Sequence, residues 1–250
     1  MQETTPDTVR ALECRAFNAW PALQTLVHDG WILRFARGHT KRANSVNAVW
    51  PCSQPLDARI AHAEALYRRH DLPPTFRVTP LAEPGLDAAL AARGYALVDP
   101  TIVMQARLGG PATAVAGVEI ADEPRPQWLG AFAKASGARQ ETVAILGEML
   151  GRIVPAAAFA RVDGADGSPC AFGMGVLEAG DLGIFEMLTV PAARRMGHAA
   201  RIIGALSAWA QAQGAARAYL QVVADNVPAR ALYAGLGFAD AYAYHYRRRA

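Results

Sequence analysis

The stretch that most constrains what this chain can fold into is Glu186–Ala200, with the sequence EMLTVPAARRMGHAA. An apolar, β-branched segment ends at Val190-Pro191, a short basic loop follows, and a helix-forming run begins after Gly197. A helix start exposes backbone N–H groups and the positive end of the helix dipole, so a strand that leads into one through a glycine turn suits an anion. The pattern predicts a pyrophosphate site, and a plain strand–loop–helix turn with two solvated arginines is the alternative.

The loop itself contains the spacing R-x-x-G-x-A, from Arg194 to Ala199. Arg194 and Arg195 add charge that matches a phosphate. The absence of a Cβ at Gly197 lets phosphate oxygens approach the backbone, and Ala199 keeps the next contact small. This motif alone does not decide between the two interpretations, because the chain is rich in Ala, Arg and Gly.

Composition excludes several classes of protein. The 250 residues are 52% hydrophobic and 19% charged, which is typical of a soluble globular protein with a sizeable core. A net charge of only +3 argues against nucleic acid as the main partner. No apolar run approaches the ~20 residues of a membrane span. The three cysteines show no C-x-x-C spacing, which predicts neither a disulfide framework nor a metal site. The polar N-terminus has no signal-peptide pattern, which predicts a cytoplasmic location.

Local patterns predict a mixed sheet with helices on both faces, in an α/β (α+β) fold. Helical spacing runs from Leu12 to Leu26, and strands follow at 31–36 and 43–50. Gly109–Ala114 is the best linker candidate, which predicts an N-terminal domain over 1–110 and a second domain over 117–250. In the second domain, hairpin-connected strands come first, and then strands alternate with helices.

A second motif, from Asn226 to Phe238, lies one helix and one strand beyond the first. It has the form N-x-x-A-x-x-L-Y-x-x-x-G-F. The two motifs together, in this order and on these elements, resemble the GNAT superfamily of acyl-CoA N-acyltransferases. The resemblance covers about residues 117–250 and implies acetyl-CoA as the acyl donor.

Carried over position by position, the resemblance implies a role for each motif residue. The backbone of Leu188, Thr189 and Val190 would hydrogen-bond the pantetheine arm of acetyl-CoA. Asn226 would fix the pantetheine near the thioester, and Tyr233 would stand beside the sulfur. The pyrophosphate would be held by Arg194 and by the amides of Arg195, Met196, Gly197, His198, Ala199 and Ala200.

Acyl transfer to an amine needs an oxyanion donor, an acid and a base. The N–H of Leu188 is placed to stabilise the oxyanion, and Tyr233 can donate a proton to the leaving thiolate. Strand alternation puts Glu186 on the same face as Leu188, which makes Glu186 the best nearby general base. A solvated strand carboxylate is the alternative interpretation of Glu186.

The first half has the order of a degenerate GNAT-like copy. A strand ending at Pro51, a helix over 57–70, a strand over 75–79 and a helix over 85–93 parallel the elements on either side of the phosphate loop. Cys52–Pro55 stands where R-x-x-G-x-A would be, so no coenzyme A site is expected in this half.

The leading hypothesis is an N-acetyltransferase that acts on a primary amine, either a small molecule or a peptide N-terminus. The alternative is a non-catalytic acyl-CoA-binding sensor or scaffold, which needs the phosphate loop but neither Glu186 nor Tyr233. No nucleic acid, membrane or metal is expected as a partner, and a homodimer is left open.

Overall fold

The computed structural model describes residues 4–110 and 115–249. It contains seven α-helices and eleven β-strands within these residues. In the first part of the chain they are α1 Pro6–Ala19, β1 Gln24–His28, β2 Trp31–Phe35, β3 Val46–Ala48, α2 Leu56–Arg69, β4 Thr75–Val78, α3 Leu86–Ala92 and β5 Ala96–Arg107. They continue as β6 Glu119–Ala121, α4 Pro126–Ser136, α5 Gln140–Leu150, β7 Ala156–Asp163, β8 Pro169–Glu178, β9 Asp181–Thr189, α6 His198–Gln211, β10 Arg217–Val223, α7 Val227–Gly235 and β11 Ala239–Arg248.

The chain divides into two compact units. Unit 1 consists of Met1–Val103, Val222–Asn226 and Asp240–Ala250. Unit 2 consists of Met104–Gln221 and Val227–Ala239. The predicted assignment of domains to 1–110 and 117–250 stays a prediction, and residues 111–114 of the predicted linker lie outside the described part of the chain.

Unit 1 is built on the strand order β1-β2-β3-β4-β11. The pairs β1–β2, β2–β3 and β4–β11 are antiparallel, whereas β3 and β4 are parallel because α2 lies between them in the chain. Trp31, Phe76 and Tyr95 are buried in its core, with Phe76 in edge-to-face contact with the other two rings.

One predicted element in unit 1 is wrong. The helical spacing does not continue to Leu26: α1 ends at Ala19, and Gln24–His28 forms β1. Pro21 explains the end, because a proline lacks an N–H and disfavours helical geometry at the residue before it. The backbone groups of β1 pair instead with β2, from Gln24 opposite Phe35 to His28 opposite Trp31.

Unit 2 is built on an antiparallel meander, β6-β7-β8-β9, with β10 added parallel to β9. The end of β5 lies in this unit, where the Leu108 N–H donates to the Ala216 carbonyl at 2.9 Å. Helices cover both faces of the sheet. Phe172 of β8 meets the rings of Trp128 and Phe132 on α4, while a side chain at the next position, Gly173, would meet α6.

No helix among the described residues is long and apolar enough to cross a membrane. The mixed sheet with helices on both faces agrees with the predicted α/β (α+β) fold class.

Candidate active site

The predicted site begins on β9, which pairs with β10 on one side and with β8 on the other, and these two hydrogen-bond ladders differ in length. The ladder between β9 and β10 runs from Asp181–Arg217 to Ile184–Leu220 and ends there. The ladder between β9 and β8 continues to Thr189, opposite Ala171. The last five residues of β9 therefore remain alongside β8 after the regular pairing with β10 has ended.

A β-bulge interrupts β9 within these five residues. Leu188 lies opposite Phe172, and Phe185 lies opposite Met174, so two residues of β9, Glu186 and Met187, face the single residue Gly173. Glu186 adopts a positive φ of 49°, which a non-glycine residue rarely does. Bulges re-aim backbone groups and are frequent beside active sites.

The bulge corrects one step of the sequence argument about Glu186. Placing Glu186 and Leu188 on the same face assumed strict alternation along the strand. The extra residue breaks that alternation, and Leu188 shares its face with Phe185 instead, because their partners Phe172 and Met174 share one face of β8. Glu186 is half-buried within the bulge, and its role as a base stays a prediction.

The helix α6 begins as the phosphate-loop motif predicts. Gly197 is its N-cap residue with φ 78°, and no side chain caps the helix. The first helical hydrogen bond runs from the Arg201 N–H to the Gly197 carbonyl at 3.1 Å, so the amides of His198, Ala199 and Ala200 precede it and need acceptors outside the helix. Gly197 is required for its left-handed conformation, and a Cβ there would meet no protein atom within 4 Å.

The loop before the helix is basic and open. Arg194, Arg195 and Met196 are exposed, and Arg195 also has a positive φ of 66°. The loop thus has two residues in the left-handed conformation, Arg195 and Gly197, and such residues are an element of backbone turns that can bind anions. The Arg194 side chain donates to the Thr189 carbonyl at 3.3 Å, which connects the loop to the end of β9.

His198 and Arg201 occupy the first turn of α6. His198 is half-buried, with its Nδ1 3.4 Å from Arg201 Nη1. Arg201 donates to the carbonyls of Ala116 at 2.8 Å and Gly117 at 3.1 Å. Arg201 thus fastens the segment before β6 to the helix that follows the loop.

Tyr233 is the buried residue of α7, with 8% of its surface exposed. Its ring meets Phe238 at a centroid distance of 6.2 Å, and the Phe238 N–H donates to the Tyr233 carbonyl at 3.0 Å. Burial raises the pKa of the phenol above its usual value of 10.0. The hydroxyl therefore stays protonated at neutral pH, as a proton donor must.

Asn226 belongs to a different unit from the other predicted site residues. It lies in unit 1, directly before α7, and its backbone N–H donates to the Val223 carbonyl at 3.0 Å. Its side chain is exposed. Unit 2 contains all the remaining predicted residues, from Glu186 to Ala200 and Tyr233.

The matching turn of unit 1 has an acceptor of its own. The Asp29 carboxylate accepts the Ser53 N–H at 2.9 Å, the Ser53 hydroxyl at 2.7 Å and the Gln54 N–H at 2.9 Å, just before α2 begins. The Gln54 N–H, together with the Ser53 N–H and hydroxyl, lowers the pKa of Asp29 to about 2. Asp29 is a functional residue of this turn that the sequence patterns do not predict, because it lies 24 residues before Ser53. Its local signal in the sequence is the Asp-Gly turn.

Two solved structures have the same fold as this chain. The structure resembles a GCN5-related N-acetyltransferase from Kribbella flavida, with a TM-score of 0.64, 18% identity and coverage of 99% of this chain and 96% of that one. It also resembles a tandem GNAT protein from the clavulanic acid biosynthesis pathway, with a TM-score of 0.62, 15% identity and coverage of 95% and 87%. At these identities the likeness concerns the fold, and the fold is that of the GNAT superfamily.

Residues 6–249 match the family model described as "Probable histone acetyltransferase Rv0428c C-terminal", and the chain belongs to this family. Among its relatives are an uncharacterized N-acetyltransferase, YobR, of Bacillus subtilis, 29% identical over 96% of this chain and 98% of that protein, and the probable histone acetyltransferase Rv0428c of Mycobacterium tuberculosis. The latter is 30% identical over 92% of this chain and 70% of its own length. The protein is accordingly a GNAT N-acetyltransferase.

Within residues 4–110 and 115–249, no group of three or more His, Cys, Asp or Glu side chains could hold a metal ion.

Proposed function

We propose that the protein transfers an acetyl group from acetyl-CoA to a primary amine, on a small molecule or a peptide N-terminus, by direct attack through a tetrahedral intermediate. The observation that carries the proposal is the arrangement in unit 2 of a bulged strand end that leads through a basic loop into an uncapped helix N-terminus. Acetyl-CoA has matching features in the same order: a thioester, a peptide-like pantetheine arm and a pyrophosphate.

The pyrophosphate end fits the start of α6. Amides of His198, Ala199 and Ala200 lack acceptors within the helix, and the helix dipole favours negative charge there. The exposed Arg194 and Arg195 add two cations beside these donors. We assign the amides of Met196 and Gly197 to the same cradle, because left-handed residues such as Arg195 and Gly197 are part of backbone turns that bind anions through successive N–H groups.

The pantetheine arm fits the end of β9. An extended ligand can add to a strand edge through main-chain hydrogen bonds, and Leu188, Thr189 and Val190 lie beyond the last regular β9–β10 pair. Because the Val190 N–H already donates to the Cys170 carbonyl at 2.9 Å, strand alternation leaves the N–H of Thr189 as the donor of the three that we assign to the arm. Asn226, immediately before α7, is the candidate for holding the arm near the thioester.

The chemistry assigns one task to each remaining group. When bound, acetyl-CoA supplies an activated thioester carbonyl that a neutral amine can attack. The Val190 N–H donates to the Cys170 carbonyl at 2.9 Å, and the alternation of an antiparallel ladder turns the Leu188 N–H toward Phe172 of β8 in the same way. We therefore assign the oxyanion to a backbone N–H of the bulge at Glu186 and Met187, in place of the predicted Leu188 N–H.

The Tyr233 hydroxyl donates a proton to the departing thiolate. Because the pKa of the buried phenol is raised, this proton transfer is uphill and depends on the placement of the two groups. Glu186 removes a proton from the ammonium form of the acceptor, directly or through water.

Acetyl-CoA binding and amine acetylation test the proposal in sequence. We expect acetyl-CoA to raise the melting temperature, because a ligand that binds only the folded state stabilises it. Thiol release is then measured against a panel of small amines and of peptides with free or blocked N-termini. No stabilisation by acetyl-CoA would refute the phosphate-loop assignment; stabilisation without thiol release from any amine would favour the sensor alternative.

We also propose that the chain is a tandem GNAT protein, with catalysis in the half from 117 to 250 and a degenerate half over 1–110. In each unit a strand leads through a turn and a helix into a parallel neighbour, as β3-α2-β4 in unit 1 and β9-α6-β10 in unit 2. The turn of unit 1 is already filled by Asp29. The acetyl-CoA requirement and the three free thiols fit a cytoplasmic protein.

A further inference from the structure

Gly173 occupies a special place in the sheet of unit 2, opposite the bulge of β9. Its neighbours in β8 pair regularly, Phe172 with Leu188 and Met174 with Phe185, while Gly173 alone faces Glu186 and Met187. The sequence carries a signal for this position, since glycines alternate at 173 and 175 within a strand. A glycine inside a strand often marks a bulge or a close approach of other atoms.

The space that a Gly173 side chain would fill is occupied from two directions. A Cβ there would lie 2.6 Å from Cγ2 of Ile202 and 2.7 Å from the sulfur of Met187, with Cδ1 of Leu206 at 3.6 Å. Met187 belongs to the bulge, and Ile202 lies in α6 one turn after His198. The bulge and the start of the helix therefore meet over the missing Cβ of Gly173.

We propose that Gly173 is a positioning residue that sets the spacing between the bulge of β9 and the first turns of α6. The inference rests on the proposed function, in which the bulge serves the thioester end of acetyl-CoA and the start of α6 serves its pyrophosphate. One ligand of fixed covalent length has to reach both places, so their separation decides whether both ends are held at once.

The two neighbours of Gly173 respond differently to an added methyl group. The Met187 sulfur is at the end of a flexible side chain and can swing away. Ile202 is β-branched and has one strongly preferred rotamer in a helix, so its Cγ2 cannot move without moving α6. An alanine at 173 thus shifts the helix away from the sheet and releases the side chain of the bulge.

Gly173→Ala tests this against Gly175→Ala. Gly175 lies on the same strand and the same face as Gly173. A Cβ on Gly175 would crowd the same helix, at 3.1 Å from Leu206, and would lie 3.0 Å from Leu182. In contrast to Gly173, however, Gly175 pairs regularly with a single residue of β9. Overpacking lowers the melting temperature of both variants, by roughly 2–12 °C. Only Gly173→Ala is expected to raise KM for acetyl-CoA and to lower kcat. We expect kcat/KM to fall by about tenfold or more, which is less than the loss caused by removing an oxyanion donor.

Ile202→Leu provides the rescue, because leucine keeps the volume and removes Cγ2. Gly173→Ala combined with Ile202→Leu should recover kcat/KM to within about threefold of Ile202→Leu alone, since volume-conserving swaps are tolerated best. The double variant also serves if Gly173→Ala by itself does not fold.

Equal kinetics for Gly173→Ala and Gly175→Ala would overturn the assignment, as would a folded double variant with no recovery. Both results presuppose a wild-type protein that binds acetyl-CoA and releases thiol. A wild-type protein that does neither would refute the proposed function itself, which keeps the two failures apart.

Discussion

At the scale of single residues, the proposed chemistry depends on groups whose surroundings differ sharply. Tyr233 is buried on α7 beside Phe238, so its phenol is held in the protonated form. Glu186 is half-buried in a bulge with a left-handed backbone. The acid and the base are therefore open to separate tests.

Replacing Tyr233 by Phe removes only the hydroxyl. We expect kcat to fall by about 10²–10⁴-fold, the usual contribution of a positioned proton donor, while Kd for acetyl-CoA stays nearly constant. Tyr95→Phe is the matched control, because it removes a hydroxyl that donates to Glu64 in unit 1. Steady-state kinetics and calorimetry measure the two effects, and equal losses in kcat and in affinity would contradict the acid role.

Replacing Glu186 by Gln tests the base through its pH dependence. If Glu186 takes the proton from an ammonium acceptor, the loss in kcat/KM is greatest at pH values where the acceptor is protonated, by about 10²-fold. The loss shrinks above the pKa of the acceptor, since the free amine needs no base. A loss of the same size at every pH would indicate a structural role for the carboxylate.

At the scale of elements, the two strand–turn–helix segments differ in what their turns contain. In unit 2 the turn before α6 has no side-chain cap. In unit 1 the turn before α2 is filled by Asp29, and Arg59 lies 3.4 Å from the same carboxylate.

Gly197→Ala is compared with Gly214→Ala at the opposite end of α6. Both glycines have a positive φ, 78° and 88°, and open space where a Cβ would be, so each alanine costs about 1–2 kcal/mol of backbone strain. Only Gly197→Ala should weaken acetyl-CoA binding, by about tenfold or more if one charge-assisted hydrogen bond is lost. Thermal unfolding and titration calorimetry separate strain from binding, and equal affinities in the two variants would count against the cradle.

Asp29 gives the folded protein an acid-sensitive contact. Its pKa falls from 3.8 to about 2 on folding, so the stability that it contributes is fully present above pH 3.8 and is lost as the pH falls toward 2. The difference in melting temperature between wild type and Asp29→Asn should therefore narrow between about pH 4 and pH 2. Asp7→Asn, at an exposed ion pair with Arg10, is the control, and a difference that does not change with pH would contradict this account.

At the scale of the whole molecule, each unit has a turn that leads from a strand into a helix and then into a parallel strand, and the proposal gives acetyl-CoA only the turn of unit 2. Titration calorimetry should find one acetyl-CoA per chain. Two equivalent sites would refute the assignment of Asp29 as a resident anion.

Arg194→Ala combined with Arg195→Ala should weaken acetyl-CoA binding at the single site. The loss of affinity should be larger at low salt, where the charges of the arginines are screened less.

The sequence by itself determined the order of elements and the two motifs, because periodicity, glycine turns and motif spacing are local properties of the chain. Arg194–Ala199 and Asn226–Phe238 identified the superfamily, and most helices and strands formed where local patterns placed them. The segment around Pro21 was the exception, since strand pairing with β2 outweighed a helical spacing.

The tertiary structure alone decided the bulge at Glu186 and Met187, the close packing of side chains over Gly173 and the occupation of the unit 1 turn by Asp29. Each of these depends on contacts between residues that are distant in the chain. The physical reason is that ladder register and close packing are set by the partner strand and helix, and no local pattern specifies where a partner's atoms will be.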